Sequence, residues 1–491
     1  MASMSLMPGY YRKATSSTQN NKQNNILIIL FDTFSALHLS MLGYDRRTDQ
    51  HIQRLAERST VYHNHFSGGI FTTTGTASLL TGAYPFTHRA FQLNGTVSPE
   101  FESQNIISLF PDYYRIGYSH NVLANTLLSQ FQSGMEQYKR REELFFKNDF
   151  LINSVFHNDS DIAFLSWARI LQDEIDKYSN SLFLSNTYSL FTQQLEDVLS
   201  QDFPRGVPKN QGDFFLLENA TDWILSQLND LPQPFLAYIH LIPPHHPYNT
   251  RSDFYNEFLD DGYIPIKKPE HFFSQGVSYS TLVNRRRYYD EYILYVDSEF
   301  GRLYSGLQES GMLDNTTLLF TSDHGEMFER GIWEHTVPTI HQPVIRIPLL
   351  ISQPGQQDRV DVYQPTSSID VIPTLLKFSG KKIPDWCEGQ ILPPYQETDR
   401  NERSLYAIDA KKNEKYKPIT KATSMILEWP YKLMKYTNNK RIPGYSLYYE
   451  LFDLESDSEE LNNIYSPQNQ IAIDMIDKLD QRISKADELY K

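Results

Sequence analysis

Four short apolar runs punctuate a chain that is otherwise mixed in polarity: Ile26–Phe31, Phe235–Ile239, Leu318–Phe320 and Ile347–Ile351. Each has the length of a strand, and none alternates apolar with polar residues. That is the pattern of strands buried on both faces, as in a parallel sheet covered by helices. Helical stretches lie between them. Arg286–Glu309 carries Tyr289, Ile293, Val296 and Phe300 at helical spacing, and Asp370–Phe378 follows Ser367 and Ser368 as caps. Alternating strands and helices predict an α/β sandwich with a mostly parallel central sheet between helices.

Two regions break this rhythm. Residues from about 130 to 230 are rich in aromatic and charged side chains and read as amphipathic helices. They form an insertion that shapes a pocket or merely adds packing. After about residue 380 the punctuation changes to Ile383-Pro384 and Leu392-Pro393-Pro394. The runs Pro430–Tyr436 and Tyr445–Asp453 then predict strands of a small antiparallel sheet, and a helix from about Gln468 to Lys485 follows. The expected division is a disordered N-terminal segment over 1–24, a catalytic domain over 25–380 and a C-terminal subdomain over 381–491.

Composition narrows the classes of function. With 491 residues and 40% hydrophobic content a large core is available. A net charge of −15 lacks the basic footprint of a nucleic-acid binder. The single cysteine, Cys387, allows neither an intramolecular disulfide nor a Cys-rich zinc site. The first 24 residues are polar, without the apolar core of a signal peptide, and no run of 18 apolar residues predicts a membrane span. The resulting expectation is a soluble, cytoplasmic protein.

Four segments could carry chemistry. The first strand ends in Asp32-Thr33, and a carboxylate at that end of a parallel strand lies where such sheets bind ligands, unless it only caps the next helix. Leu318–Phe320 runs into Thr321-Ser322-Asp323-His324-Gly325-Glu326, where adjacent Asp and His can offer an oxygen and a nitrogen to one ion. Asp32, Asp323 and His324 together suit Mn²⁺ or Zn²⁺, with Ca²⁺ or Mg²⁺ a poorer match. Phe71–Gly82 holds a threonine cluster leading into a short helix, which either caps that helix or places one hydroxyl against the metal at its N-terminus. His240–Tyr248 carries His245 on a proline-rich turn, as a proton donor or as an ordinary turn residue.

Taken in order, these segments resemble the sulfatase family of the alkaline-phosphatase superfamily. The likeness extends to Tyr289–Leu303, Val344–Leu349, Ile369–Leu376 and Tyr449–Leu454, and covers roughly residues 24 to 465. It implies that Asp32, Asp323 and His324, with Thr72, hold one divalent ion. Aligned on Leu80-Thr81-Gly82, the family's nucleophile position falls on Thr72. His245 falls on the family's active-site histidine, and His335 lies near a Lys or His that contacts the transferred group. Asn94 falls on a substrate-binding Asn of phosphonate monoester hydrolases. The signature departs from the family at Thr72, where formylglycine formation needs Cys or Ser, and at Gly75 and Thr76, which stand where Ser and Arg are usual. Thr33 stands where many sulfatases have a second acidic residue, and the mid-chain Asp-x-x-x-His of two-metal relatives is absent from the sequence.

Threonine nucleophiles are typical of relatives acting on phosphorus. The expected activity is therefore metal-dependent hydrolysis or transfer of phosphate or phosphonate esters, diesters included, through Thr72. The substrate is expected to be a small-molecule, glycan or lipid-headgroup ester. The alternatives are a sulfatase working without formylglycine and a non-catalytic binding protein of the same fold.

Overall fold

The computed structural model describes residues 23–145, 196–210, 213–396, 403–444 and 446–491. Its centre is an eight-stranded sheet. In chain order the strands are Asn25–Phe31 (β1), Thr60–Tyr62 (β2), Tyr114–Ser119 (β3), Gln137–Tyr138 (β4), Phe235–Leu241 (β5), Thr316–Thr321 (β6), Leu349–Ser352 (β7) and Val360–Val362 (β8). Across the sheet the order is β8-β2-β7-β6-β1-β5-β3-β4. All neighbouring pairs are parallel except those of β7, which runs antiparallel to both β6 and β2. The run around Ile347–Ile351, expected as one more parallel strand, is thus the reversed strand of a mixed sheet. A strand buried on both faces has the same composition in either direction.

The two-residue period of a strand sorts its side chains between two cores. From β1, Leu27, Ile29 and Phe31 enter one core, where the helices Gln50–Ala56 (α1), Leu217–Asp230 (α4) and Tyr279–Glu309 (α5) cover the sheet. Ile26, Ile28 and Leu30 enter the other, against Thr72–Thr81 (α2), Val122–Phe131 (α3) and Val371–Phe378 (α6). Each fully buried Leu or Ile of this kind contributes about 1.5–3 kcal/mol. Helix α5 is 31 residues long and starts at Ser278, whose side chain accepts from the Thr281 amide. Ahead of α6, Ser367 and Asp370 form a capping box.

Of the expected insertion over 130–230, residues 146–195 lie outside the described residues, as do 1–22 of the N-terminal segment. The described remainder of the insertion belongs to the main body. β4 is one of the sheet's two edge strands, and Leu217, Ile224, Leu225 and Leu228 of α4 are buried in the first core.

Near the C-terminus Leu405–Asp409 (β9), Ala422–Glu428 (β10), Tyr431–Thr437 (β11) and Leu447–Asp453 (β12) form an antiparallel meander, as the sequence predicts for its last two strands. Alternation again splits its residues. Ile426, Leu433 and Leu451 pack under the helix Gln470–Asp487 (α7), while Met425, Leu427, Met434 and Phe452 share a core with Phe66, Ile70, Phe71 and Met327 of the main body. Phe71 directly precedes Thr72, so this small sheet buttresses the start of α2. The buried Arg89–Asp487 ion pair at 2.6 Å ties the C-terminal part to the main body, and the buried Lys432–Glu460 pair at 2.6 Å braces the C-terminal part itself. Among the described residues no helix is long and apolar enough to cross a membrane.

Candidate active site and metal centre

Asp32, Asn121, His240 and Asp323-His324 all lie at the carboxyl ends of four adjacent parallel strands, β1, β3, β5 and β6. That edge is where open α/β sheets place ligands. Helix α2 points its first residue, Thr72, at the same spot, with Phe71 as its extended N-cap. All ten residues of α2 are buried. The helix can approach this closely because of Gly75, where a Cβ would stand 2.1 Å from the Asp323 carbonyl oxygen. Thr33 is held at a φ of 57°, a left-handed conformation unusual for a β-branched residue. Its amide donates to Asp323 Oδ1 at 3.2 Å and its carbonyl accepts from Tyr289 at 2.5 Å.

The polar atoms left over converge. Asp323 Oδ1 also accepts from the His324 amide at 2.9 Å, and Oδ2 has no hydrogen-bond partner although it is buried. Asp32 Oδ2 accepts from Asn121 Nδ2 and faces His240 Nε2 at 3.2 Å, while Oδ1 is likewise orphaned. His324 Nδ1 lies 3.0 Å from the Gly325 carbonyl, which can only accept. Nδ1 therefore bears the proton and Nε2 turns a lone pair inward, as in metal-ligating histidines. That Nε2 is 3.5 Å from Asp32 Oδ1 and 3.6 Å from Asp323 Oδ2, and His240 Nε2 is 3.9 Å from Asp323 Oδ2.

Orphaned carboxylate oxygens are costly in a buried site, and these spacings explain them. Around an ion with bonds of about 2.0–2.2 Å, neighbouring donors stand about 2.9–3.6 Å apart. Asp32, His240 and Asp323 each offer one ligand atom within 4.8 Å of the others. These residues fit a divalent cation. The electrostatics agree. Burial alone would raise the Asp32 carboxyl, but the His240 hydrogen bond and the fields of His245, His240 and His324 hold it at about 2. Burial and the adjacent Asp32 charge push Asp323 up. A cation between the two carboxylates relieves both effects.

Above this cluster opens a cavity of about 580 Å³ whose lining includes Thr72, Asn121, His245, His335 and Lys411. Thr72 Oγ1 is 3.5 Å from Asp32 Oδ2, 3.5 Å from His324 Nε2 and 3.1 Å from Asn121 Nδ2. His245 donates through Nδ1 to the His246 carbonyl at 2.7 Å, which leaves Nε2 for the cavity, and its ring centroid lies 5.2 Å from that of His335. His335 stands 4.3 Å from the His324 ring, with Nδ1 3.1 Å from Glu326 Oε1. Burial, with His324 and His245 nearby, holds the His335 imidazole well below the usual histidine range.

The structure thus brings together Asp32, Thr72, Asp323, His324, His245 and His335. It does not bring Asn94 to them. That side chain is exposed and accepts from Thr126 Oγ1 at 2.8 Å, and its neighbour Leu93 lines the cavity instead. Two site residues escaped the sequence reading. His240 sits inside a fully buried apolar strand, and a lone histidine there was the available signal. Asn121 follows β3, whose mixed sequence Tyr-Arg-Ile-Gly-Tyr-Ser does not announce a strand.

Comparison with known proteins adds the wider context. The architecture resembles that of phosphonate monoester hydrolases from Silicibacter pomeroyi (TM-score 0.66, 20% identity, 95% of this chain and 96% of that one) and Agrobacterium radiobacter (TM-score 0.69, 16% identity, 94% and 96%). In sequence the chain is 25% identical over 466 residues to a choline-sulfatase of Rhizobium meliloti (strain 1021), covering 90% of this chain and 82% of that one. It is also 25% identical over 349 residues to arylsulfatase K of Bos taurus, covering 62% and 63%. Fold and sequence relatives together class the chain with the α/β ester hydrolases. The Sulfatase family model matches residues 24–381, and the model of the C-terminal part of N-sulphoglucosamine sulphohydrolase matches residues 329–488; the chain belongs to the sulfatase family.

Proposed function

We propose that the chain is a metal-dependent hydrolase of phosphate or phosphonate esters in which Thr72 is the nucleophile. The observation that carries this reading is the Thr72 hydroxyl at the first turn of α2, 3.1 Å from Asn121 Nδ2 and 3.5 Å from Asp32 and His324. Asp32, His240, Asp323 and His324 would hold the ion, and two imidazoles with two carboxylates suit Mn²⁺ or Zn²⁺ better than Ca²⁺ or Mg²⁺. When bound, it would supply Lewis acidity that favours the Thr72 alkoxide and offsets charge on the reacting group.

The chain's own groups then account for the rest. Thr72 enters as the alkoxide, its proton lost to water through the open cavity. Its Oγ1 forms a bond to phosphorus in line with the departing ester oxygen. The P–O bond to that oxygen breaks, and the oxygen takes the proton from Nε2 of cationic His245. The Asn121 N–H on Thr72 Oγ1 stabilises the alkoxide and the α2 N-terminus the anionic oxygens. Glu326, pushed well up by burial, keeps its proton and donates that O–H to His335 Nδ1, so that neutral His335 presents Nε2–H to those oxygens. A threonine has one hydroxyl, so the phosphoryl-Thr72 ester is released only by a second displacement at phosphorus. Water attacks, giving its proton to the now neutral His245, and Thr72 leaves. An acceptor alcohol in place of water would make the same site a transferase.

The second reading, sulfate-ester hydrolysis through Thr72, is favoured by the names of the sequence relatives, choline-sulfatase and arylsulfatase K. Matched aryl phosphate, phosphonate and sulfate esters, assayed with added Mn²⁺ or Zn²⁺, separate the two. Under the phosphorus reading Thr72→Ala lowers turnover by a factor of about 10³ or more while metal content is kept. Full activity in Thr72→Ala would remove the nucleophile assignment, and turnover confined to the sulfate would remove phosphorus.

A further inference from the structure

The chain is acidic overall at −15, yet lysines gather at one edge of the catalytic cavity. Past Thr336 and Lys411, which line that cavity, a second one of about 110 Å³ opens against the C-terminal sheet. The two share Thr336 and Lys411, so they lie side by side. The smaller cavity adds Lys412, Lys421 and Asn439, with Asp409 as its one carboxylate. Asp409 is engaged locally: Oδ2 is 3.5 Å from Lys411 Nζ and Oδ1 accepts from the Lys411 amide. Lys411 Nζ also donates to the Thr336 carbonyl at 2.9 Å, which fixes the ammonium at the junction of the two cavities. Among the described residues neither Lys412 nor Lys421 has an acidic partner. Three lysines and one carboxylate therefore line a cavity adjacent to the one that holds Thr72.

We propose that this lysine pocket binds a second, non-reacting anionic group of the substrate, so that the preferred ester carries a phosphate, sulfate or carboxylate besides the group it loses. The inference rests on the ester-hydrolase reading and narrows its substrate class to multiply anionic esters. The scissile group sits over Thr72, the substrate backbone passes Thr336, and the distal anion meets Lys412 and Lys421. Lys411 spans both. Charge-assisted hydrogen bonds to an anion in a partly enclosed pocket add affinity that a single-anion substrate cannot use. Because the contact is remote from the reacting centre it acts on KM and leaves kcat alone.

The test uses the double variant Lys412→Gln/Lys421→Gln, which leaves every residue around Thr72 intact. The probes are glucose 6-phosphate against glucose 1,6-bisphosphate, the corresponding sulfates, and sucrose octasulfate as a non-reacting polyanion titrated by calorimetry. The wild-type protein should show a KM about tenfold lower for the doubly charged ester, and the variant should lose that advantage with kcat unchanged. Octasulfate affinity should fall in parallel. Equal KM values for singly and doubly charged esters in the wild type, or an octasulfate affinity unaffected by the double substitution, would overturn the proposal. If no ester is turned over by either protein, the hydrolase reading fails, and octasulfate titration alone decides whether the lysine pocket binds anions.

Discussion

His240 gives the sharpest test of the metal centre, because two roles compete for it. Its Nε2 is 3.2 Å from Asp32 Oδ2 and 3.9 Å from Asp323 Oδ2, and its Nδ1 is 3.2 Å from the Tyr238 hydroxyl. If Nδ1–H donates to Tyr238, Nε2 offers a lone pair and His240 is a ligand. If Nε2 keeps the proton, His240 is only a hydrogen-bonding partner of Asp32. Loss of a residue that merely orients a ligand costs about 10–100-fold in metal affinity. Replacing the ligand itself in His240→Gln should therefore weaken Mn²⁺ or Zn²⁺ binding by about 100-fold or more, some 2.7 kcal/mol. Competition against a fluorescent chelator measures this, with circular dichroism as a check that the variant is folded. Tyr238→Phe, which touches only the tautomer, should cost about tenfold. A loss of only about tenfold in His240→Gln, no more than an orienting residue costs, would show that the imidazole serves Asp32 and not the ion.

Three further outcomes are expected. Gly75→Ala drives a Cβ to 2.1 Å from the rigid Asp323 carbonyl oxygen, so it should destabilise the fold by about 3 kcal/mol in urea unfolding and loosen metal binding as Asp323 shifts; wild-type stability would show that α2 does not press on β6 as described. Burial lowers fully buried His88 to about 3, so the unfolded chain takes up a proton below its own value near 6.5 while the folded chain does not. That contribution is whole above pH 6.5 and is lost as pH falls toward 3. The stability gap between wild type and His88→Gln should therefore shrink by about 2 kcal/mol between pH 7.5 and 5. Stripping metal with a chelator should cost about 2.7 kcal/mol relative to protein held at a hundredfold excess over Kd and should lower the melting temperature reversibly; a melting curve indifferent to metal would mean that no ion bridges Asp32 and Asp323.

The sequence made the ends of β1 and β6 legible because their chemistry is written locally. Asp32 follows an unbroken apolar run, and Asp323 and His324 stand side by side before a glycine. The threonine cluster named no one hydroxyl, and Thr72 was singled out only by the family resemblance aligned on Leu80-Thr81-Gly82; the last two strands of the C-terminal sheet were legible through their punctuation. What stayed hidden was set by distant packing. His240 looks like one more residue of a buried strand until β1 lies beside it and brings Asp32 within reach. β3 carries an arginine and a glycine, and a Cβ at Gly117 would stand 2.7 Å from the Met135 sulfur, whose side chain would have to move aside. β2 and β8, at three residues each, are too short to show a period. The direction of β7 leaves no compositional trace, and Lys411 is one lysine among many until the small sheet folds against the cavity.

The Arg89–Asp487 pair sets an order in time. Arg89 is fully buried, and its guanidinium donates to Asp487 Oδ1 at 2.6 Å and to the Ala486 carbonyl at 2.8 Å. Asp487 is translated 398 residues after it. Until α7 has been made this arginine lacks its carboxylate and has only the Lys417 carbonyl among its hydrogen-bond acceptors, while every candidate metal ligand, the last of them His324, has already been made. Maturation therefore ends with a latch rather than with the chemistry: a chain arrested before Asp487 holds a complete set of ligands on an unsealed frame, which would make it a ready substrate for proteolytic quality control.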